Sequence, residues 1–343
     1  MKIEKIFVEK RARDYPATET ILGRYKDIRH IEIDRIDYIF GRTHKPYLQK
    51  RDGLHLFLGM KPDGHVKEAP PAYGTSTGRH YYFVHAYNCI YECQYCYLQG
   101  YFSSPDLVLF VNHDDIINSM QKVLDAEFEE TWFHAGEFSD SLALSHLTGE
   151  WPAYWSFFEK NPGALLELRT KSTNIKSILT LKPLENIFIS YSLSSEKACD
   201  EYDLKAPGLL PRLKAMQKLA RAGFTLAIHL DPIIYDDNLF DDYEQLVQTI
   251  IEYVDVRQVA YISLGVVRFS SKVYHEVEKN YPGSKLLAQE FISSFDRKVR
   301  YIKPLRLRIL YSIQEILIKK GFEAEKIYLC MENEDQPRVD QVR

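Results

Sequence analysis

Three cysteines in one short stretch are the residues of this sequence best suited to chemistry. Residues 81–101 read YYFVHAYNCIYECQYCYLQGY and hold Cys89, Cys93 and Cys96 in a C-x3-C-x2-C spacing. Three thiolates this close, with no fourth cysteine nearby, can ligate three irons of a cubic [4Fe–4S] cluster, whereas an electron-transfer cluster normally takes four. The pattern therefore predicts a cluster whose remaining iron is open to a small molecule.

A structural zinc ion is the alternative interpretation of these cysteines. Such a site needs four tetrahedral ligands. The fourth would be His85 or His113, and neither has the spacing typical of a zinc finger. Cysteine spacing favours the cluster, with zinc or unligated thiols as the alternatives.

Length and composition predict a water-soluble protein with a sizeable core. The chain has 343 residues, of which 45% are hydrophobic and 27% charged, which suits one large α/β domain with appendages or two domains. With a net charge of −4, any nucleic-acid contact must come from a local basic patch. The charged N-terminus, the clustered cysteines and the lack of an apolar run of about 20 residues predict a cytoplasmic protein with no membrane span.

Strand-like and helix-like segments alternate from residue 81 onwards. Apolar segments near residues 81–87, 131–136, 164–171, 187–193, 224–234 and 258–269 are separated by helical patterns, which predicts a parallel sheet. Six such units favour an α/β fold with an open, partial (β/α)6 TIM-type barrel, whose chemistry sits at the carboxyl ends of the strands. We expect an N-terminal subdomain at 1–80, the barrel at 81–270 and a C-terminal α+β cap at 271–343.

Polar residues at the predicted strand ends are candidates for ligand binding. Gly136, Glu137 and Ser139 follow the second barrel strand, and Lys171 ends the third. Alternatively, Ser139 or Asp140 is a helix N-cap, and Lys171 is a surface lysine. His229 and Asp231 end the fifth strand and are either pocket residues or, for the histidine, a satisfied core residue.

Two serines on the fourth strand complete this set. Ser190 and Ser192 lie two residues apart, so strand alternation puts them on one face. Because the barrel interior is expected to be apolar, we predict that both hydroxyls face the ligand.

A basic stretch at residues 297–308 is the candidate nucleic-acid contact. It includes Lys298, Arg300, Tyr301 and Arg306, a mixture that suits a hairpin contacting a phosphate backbone. A solvated charged surface is the alternative interpretation.

The cysteine motif resembles that of the radical S-adenosylmethionine (SAM) superfamily, C-x3-C-x-φ-C, with Tyr95 as the aromatic residue φ. The segment CQYCYLQ, with Tyr95 and Tyr97 on either side of Cys96, is similar to the spore photoproduct lyase family. That family repairs the methylene-bridged thymine dimer of ultraviolet-damaged DNA. The resemblance implies two cofactors, a [4Fe–4S] cluster and SAM, from which a 5′-deoxyadenosyl radical forms.

The same resemblance implies roles for the candidate residues. Gly136 and Glu137 resemble the superfamily's GGE motif, which contacts the SAM amino group, and residues matching Ser139, Lys171 and Ser190 contact SAM in the family. Tyr95 and Tyr97 match a tyrosine pair that relays hydrogen back to SAM. The family also uses a basic hairpin near residues 297–308 to open the duplex around a flipped lesion. Its partners would be damaged DNA and a flavodoxin- or ferredoxin-type electron donor, and we expect a monomer.

One position departs from the family pattern. Where spore photoproduct lyases carry a cysteine that returns a hydrogen atom to the substrate radical, this sequence has Glu137, in FHAGEFSD. A carboxylate cannot donate a hydrogen atom, so the chain is either a lyase with another donor or a paralogue acting on a different lesion or substrate. A nucleic-acid-binding protein with a structural cluster is a third interpretation. The Gly136-Glu137 motif disfavours it.

Overall fold

The computed structural model of the protein describes residues 2–42, 47, 53–70, 78–127, 129–294 and 297–332. Within these ranges, no helix combines the length and the apolar character needed to cross a bilayer. The predicted cap extends to residue 343, and its last part, 333–343, lies outside the described residues.

An open eight-stranded sheet forms the centre of the molecule. The six predicted barrel strands are all present and parallel, as β5 (Arg79–Phe83), β9 (Thr131–Ala135), β10 (Ala164–Thr170), β11 (Ile187–Ser192), β13 (Thr225–Ile233) and β14 (Val259–Val266). A strand at each edge extends the sheet, antiparallel β4 (Val66–Glu68) and parallel β18 (Ile327–Leu329). Because both sheet faces are covered, the strands are apolar nearly throughout. The predicted partial barrel is confirmed.

Helices cover the outside of this sheet. Their apolar faces join one large core with the strands, which buries residues such as Trp151, Met216 and Ile250. The helix α7 ends just before Gly223, whose φ of +89° suits a left-handed C-terminal cap. The helices of this region are α3 (His113–Ala126), α4 (Ser145–Thr148), α5 (Trp151–Lys160), α6 (Glu196–Tyr202), α7 (Leu209–Arg221) and α8 (Leu239–Tyr253).

A second sheet of five strands carries the N-terminal part of the chain. It consists of β1 (Lys2–Glu9), β2 (Arg29–Ile33), β3 (Gly53–Gly59), β6 (Ala86–Tyr87) and β8 (Leu107–Phe110), in the order β2-β1-β3-β8-β6, with α1 (Pro16–Arg24) beside it. The two sheets exchange strands, since β4 and β5 belong to the barrel while β6 and β8 return to the N-terminal sheet. The predicted boundary at 80/81 therefore falls inside β5. Pairing with β9, which is distant in the sequence, places the whole of β5 in the barrel sheet.

The cysteine stretch lies where these two sheets meet. Between β6 and β8 it contains the short strand β7 (Glu92–Cys93) and the helix α2 (Leu98–Tyr101). The strand β7 pairs with β12 (Asp203–Leu204), which follows α6 on the barrel side. This two-stranded ladder ties the cysteine loop to the barrel.

The C-terminal part folds over one edge of the barrel. The strands β15 (Arg268–Ser270), β16 (Phe291–Ser293) and β17 (Lys298–Tyr301) form a small antiparallel sheet, with α9 (Ser271–Asn280) and α10 (Lys303–Lys319) on either side of the β16–β17 hairpin in the chain. The predicted basic hairpin is present, but it ends at Tyr301. Pro304 lies in the first turn of α10, where a missing backbone N–H is tolerated, so half of the basic stretch is helical.

Candidate active site

A cavity of about 410 Å³ lies at the carboxyl ends of the barrel strands. The cysteine loop forms one side, and residues that follow β9, β10, β11, β13 and β14 form the other. This is the end of a barrel that carries chemistry. A surface groove of about 560 Å³, between residues 62–66 and α3, lies away from every predicted site residue. The cavity is therefore the candidate active site.

The predicted site residues of the loop and the strand ends converge on this cavity. Its lining includes all three clustered cysteines and most of the polar candidates, namely Cys89, Cys93, Cys96, Tyr95, Tyr97, Gly136, Glu137, Ser139, Lys171 and Ser192. Ser190 is absent from the lining.

The donor set suits an iron–sulfur cluster with an open corner. Cys89, Cys93 and Cys96 are the cysteines that line the cavity, and none of the five thiols is in a disulfide. In the described ranges, no three His, Cys, Asp or Glu side chains converge closely enough to hold a single metal ion; the three thiols line a cavity instead. Three cysteines would hold three irons of a cubic cluster, which would leave one iron available to bind a small molecule.

A buried ion pair anchors the cysteine loop. The guanidinium of Arg212, which has no exposed surface, donates to Asp203 Oδ2 at 2.7 Å and to the Ser192 carbonyl at 2.9 Å. The other Asp203 oxygen accepts a hydrogen bond from the Tyr95 hydroxyl. Burial opposes ionisation of Asp203, but the charges of Lys171 and Arg212 lower its pKa. A permanent carboxylate thus holds Tyr95, one residue before Cys96.

Tyr97 occupies a different environment from Tyr95. Its side chain is 39% exposed and lines the cavity, whereas the Tyr95 ring is largely enclosed between the loop and the barrel. Burial, together with the charge of Asp203, raises the pKa of Tyr95 well above its ordinary value. Both predicted relay tyrosines therefore reach the cavity, and Tyr97 is the more open to a ligand.

The turn after β9 requires glycine at its first position. Gly136 has a φ of +89°, and a Cβ there would lie 2.7 Å from Ser141 Oγ and 3.2 Å from the Arg169 carbonyl oxygen. An L side chain would be strained at this φ. The backbone N–H of Ser139 donates to the Gly136 carbonyl at 3.1 Å, which closes the turn with Glu137 on the cavity side.

Asp140 holds this turn against β10. Its Oδ1 accepts the backbone N–H of Ala143 at 2.8 Å and the Thr170 hydroxyl at 2.7 Å, and its Oδ2 accepts the Lys171 N–H at 2.7 Å. Asp140 caps the turn of residues 141–144. The next helix, α4, begins only at Ser145, and its N-cap Leu144 makes no side-chain hydrogen bond, so neither Ser139 nor Asp140 is a helix N-cap. Ser139 is left at the cavity wall.

Lys171 places a cation inside the cavity. Its ammonium nitrogen lies 5.4 Å from the centre of the Tyr95 ring, within cation–π range. Burial would lower the pKa of this lysine, but the negative charges of Cys93 and Asp203 raise it. Lys171 is therefore charged at neutral pH and suited to bind a carboxylate.

The two serines of β11 lie in different layers of the barrel. Ser192 lines the cavity, while Ser190 is fully buried and donates to Glu167 Oε1 at 2.8 Å. The expectation of an apolar barrel interior is wrong, because Glu167 occupies its centre. The same carboxylate also lies 2.5 Å from His229 Nε2, so this histidine is a core residue and does not line the cavity; its Nδ1 is buried without a hydrogen-bond partner among the described residues.

Further donors complete the buried polar network. His134 Nδ1 lies 2.5 Å from Glu167 Oε2, the Tyr261 hydroxyl donates to Oε1 at 2.7 Å, and the Arg169 guanidinium lies 3.6 Å from Oε2. Burial would raise the pKa of Glu167, but Arg169 and the histidines hold it well below its ordinary value of 4.5. The network supports Arg169, which lines the cavity above it.

Other cavity residues were not singled out by motif. Arg268 forms an ion pair with Asp231, with N–O distances of 3.0 and 3.2 Å, and both side chains line the cavity. Asp231, expected as a pocket residue at the end of the fifth strand, does line the cavity. The sequence signal for Arg268 was its position just after the sixth barrel strand.

The predicted DNA-contact residues are mostly buried. Tyr301 has no exposed surface; its ring stacks on Phe291 with centroids 4.7 Å apart, and its hydroxyl accepts the Tyr235 N–H at 3.1 Å. Arg306 pairs with Glu332 at 2.7 Å. These contacts correct the expectation for both residues, which join the hairpin and α10 to the body of the protein.

The remaining hairpin cations differ in exposure. Arg300 is buried in β17 and donates to Ser294 Oγ at 3.1 Å. Lys298 is half-buried, and its ammonium lies 3.7 Å from the sulfur of Met331, a cavity residue. Arg297, at the hairpin tip, is exposed. The accessible positive charge is therefore at the start of β17.

Comparisons with known proteins agree with the geometry. A family model described as "Spore photoproduct lyase" matches residues 1–327. Spore photoproduct lyase of Bacillus subtilis (strain 168) is 24% identical over 295 residues, which cover 83% of this chain and 84% of that protein. The protein of the same name from Geobacillus sp. (strain Y412MC61) is 29% identical over 206 residues, or 59% and 60% of the two chains.

Solved structures show the same fold. A spore photoproduct lyase variant with bound AdoMet and dinucleoside spore photoproduct has a TM-score of 0.83 and 20% identity, with 96% of this chain and 98% of that chain covered. A spore photoproduct lyase complexed with dinucleoside spore photoproduct has a TM-score of 0.81 and 20% identity, with 95% of this chain and 97% of that chain covered.

Proposed function

This chain belongs to the spore photoproduct lyase family, and on that premise we propose that it is a radical SAM lyase that repairs the methylene-bridged thymine dimer in damaged DNA. Membership of this family implies a [4Fe–4S] cluster and SAM as cofactors. When bound, they supply a 5′-deoxyadenosyl radical that abstracts a hydrogen atom from the substrate, after which the bond between the two thymines breaks. The protein orients the reactants and excludes water.

The arrangement around the cavity carries this proposal. Three thiols line one side of the cavity of about 410 Å³, and a glycine turn and the ammonium of Lys171 line the other. Cys89, Cys93 and Cys96 would hold the cluster. Glu137 suits the amino group of a SAM methionine moiety, and Lys171 suits its carboxylate. These assignments match charge with charge across a cavity enclosed by protein.

Three serines would complete the cofactor site, two directly and one indirectly. Ser139 and Ser192 present hydroxyls to the cavity and would bind SAM directly. Ser190 would act through Glu167, since its hydroxyl is engaged there. Its replacement by alanine should therefore weaken SAM binding less than Ser192→Ala. Equal losses of SAM affinity in the two variants would indicate that Ser190 contacts SAM directly.

A radical SAM enzyme with a different substrate is the second candidate, and the Glu137 position is the observation that favours it. Anaerobically reconstituted protein given dithionite and SAM should form 5′-deoxyadenosine. With dinucleoside spore photoproduct added, it should also restore thymine. Formation of 5′-deoxyadenosine without thymine would establish the second candidate. If fully loaded protein formed neither product, the remaining interpretation would be a nucleic-acid-binding protein with a structural cluster.

The hairpin is the proposed contact with the DNA backbone. We assign it to Lys298 with the neighbouring Arg297, because these cations are at or near the surface. Lys298→Ala with Arg297→Ala should weaken DNA binding and flatten its dependence on salt concentration. Lys272→Ala, an exposed cation on α9, is the matched control. An unchanged salt slope in the double variant would refute the phosphate contact.

The electron donor and the assembly state complete the proposal. A one-electron donor of the flavodoxin or ferredoxin type would reduce the cluster, and the protein would act as a cytoplasmic monomer. Reduction of the reconstituted cluster by each purified donor, and the mass in solution by light scattering, test these two expectations.

A further inference from the structure

The source of the returning hydrogen atom is open, because Glu137 occupies the position of the family's donor cysteine. This question rests on the proposed function. Two cysteines remain outside the cluster motif. Neither thiol lines the cavity itself. Cys199 is 4% exposed, and its sulfur lies 3.5 Å from the carbonyl of Ser194, which does not line the cavity either. The other is Cys330.

Strand pairing brings Cys330 to the interior of the barrel. Its backbone N–H donates to the Leu264 carbonyl at 2.7 Å, which extends the β14–β18 ladder by one residue. Strand alternation puts its side chain on the same face as that of Tyr328. The Tyr328 ring packs inside the barrel, with its centroid 6.0 Å from that of Tyr261. Tyr328 therefore lies in the buried layer of inward-facing barrel side chains, and Cys330 lies in the next layer towards the carboxyl ends of the strands.

The layer above is the floor of the active-site cavity. The sulfur of Cys330 lies 3.5 Å from Arg268 Nη2, and Arg268, Asp231 and the adjacent Met331 all line the cavity. Gly265 makes this cluster possible, since a Cβ there would lie 2.5 Å from the Asp231 carboxyl carbon. The thiol is thus one side chain away from the ligand space, beside an ion pair that faces it.

We propose that Cys330 is the hydrogen-atom donor to the substrate radical, delivered from the last barrel strand instead of from the turn after β9. After the bond between the thymines breaks, the methylene radical on one thymine takes the hydrogen of the S–H bond. A C–H bond forms, the S–H bond breaks and the unpaired electron moves to sulfur. A thiol can serve as the donor because its S–H bond is weak enough for a carbon radical to take the hydrogen.

The tyrosine beside the cluster closes the cycle without an added reductant. The Cys330 thiyl radical takes the hydroxyl hydrogen of Tyr97, which lines the same cavity. Tyr97 then regains a hydrogen from the methyl group of 5′-deoxyadenosine, a product of the initial step. The 5′-deoxyadenosyl radical left by this transfer would recombine with methionine to give SAM, which would return the electron supplied at the start. Each transfer moves one hydrogen atom, so atoms and electrons balance.

The surroundings keep the Cys330 sulfur protonated, as a donor requires. Burial raises the pKa of Cys330; the positive charge of Arg268 opposes this, while a hydrogen bond with Asp231 reinforces it. The ion pair therefore holds the side chain while leaving the S–H bond intact.

Cys330→Ser tests the assignment, because a hydroxyl keeps the size and the hydrogen bond but has too strong an O–H bond to donate. Cys199→Ser is the matched control. In D2O the donor thiol exchanges its proton, so wild type and Cys199→Ser should place deuterium in the methyl group of the restored thymine. Cys330→Ser should form 5′-deoxyadenosine in a single turnover and lose the deuterated thymine. Deuterated thymine at the wild-type level from Cys330→Ser would overturn the proposal.

A second measurement uses the protein without cofactors. Alkylation of Cys330 by iodoacetamide, measured by peptide mass spectrometry, should be slower in the presence of dinucleoside spore photoproduct, and Lys272→Ala, an exposed cation on α9, should show the same protection. Equal rates with and without the dinucleoside would overturn the placement. If wild type repairs the dimer and Cys330→Ser repairs it equally, only the donor assignment fails. If wild type forms 5′-deoxyadenosine but no thymine, both the donor assignment and the proposed lyase function are wrong.

Discussion

Replacement of Arg212 by methionine should destabilise the protein by leaving a buried carboxylate without its main partner. Arg212 is fully buried and donates to Asp203, to Ser192 and to the Pro207 carbonyl at 2.7 Å. Removing one member of a buried ion pair costs about 3–5 kcal/mol of unfolding free energy. Lys171 also stabilises the charge of Asp203, so we expect the lower end, about 3 kcal/mol.

A double-mutant cycle measures the interaction itself. Urea unfolding of wild type, Arg212→Met, Asp203→Asn and the double variant, all without cofactors, should give a coupling energy of about 2 kcal/mol, within the range for contacting buried groups. Arg257→Met is the control, because Arg257 pairs with Asp255 at an exposed site with 83% of its side chain accessible; it should leave stability unchanged.

The same variants report on the cysteine loop. Because Asp203 accepts the Tyr95 hydroxyl, Arg212→Met should also lower the iron bound per chain after reconstitution. Tyr95→Phe, which leaves the ion pair intact, should cost less stability than Arg212→Met. Additive effects in the cycle, with no coupling between Arg212 and Asp203, would refute this reasoning.

Three further predictions follow from the cavity and its support. Gly136→Ala should lower SAM affinity in equilibrium dialysis, because a Cβ is strained at a φ of +89° and meets Ser141 Oγ at 2.7 Å; affinity equal to wild type would contradict the tight turn. Cys93→Ala should bind less iron and sulfide than Cys199→Ala; equal contents would contradict the ligand assignment. The fold lowers the pKa of Glu167. The ionised carboxylate therefore stabilises the folded protein above its unfolded pKa of about 4.3, and this stabilisation is lost as the pH falls through the folded pKa. Urea titrations from pH 6 to about pH 3 should therefore show a shallower stability loss for Glu167→Gln than for wild type, and parallel curves would refute the charge role.

Local sequence patterns were sufficient for the parts of this protein that depend on neighbouring residues. The spacing of Cys89, Cys93 and Cys96 predicted one loop with three thiols facing one space. The alternation of strands and helices predicted six parallel barrel strands, all present. Both succeed because ligand spacing and side-chain periodicity are set within a few residues.

Positions that depend on distant partners were predicted less well. Ser190 and Ser192 share a face, as alternation required, but only the buried Glu167 determines that Ser190 belongs below the cavity. Tyr301 and Arg306 look like surface residues in a basic stretch. Their burial arises from contacts with Tyr235 and Glu332.

The sequence by itself determined the family, the cysteine loop and the barrel type, because each is encoded in short-range spacing and period. Only the tertiary structure decided which side chains meet at the cavity. The β18 strand joins the barrel next to β14 from some 60 residues further along the chain, and this pairing brings Cys330 beside Arg268. Such long-range pairing leaves no periodic trace in the sequence, since it depends on how the whole chain minimises exposed apolar surface and unpaired backbone groups.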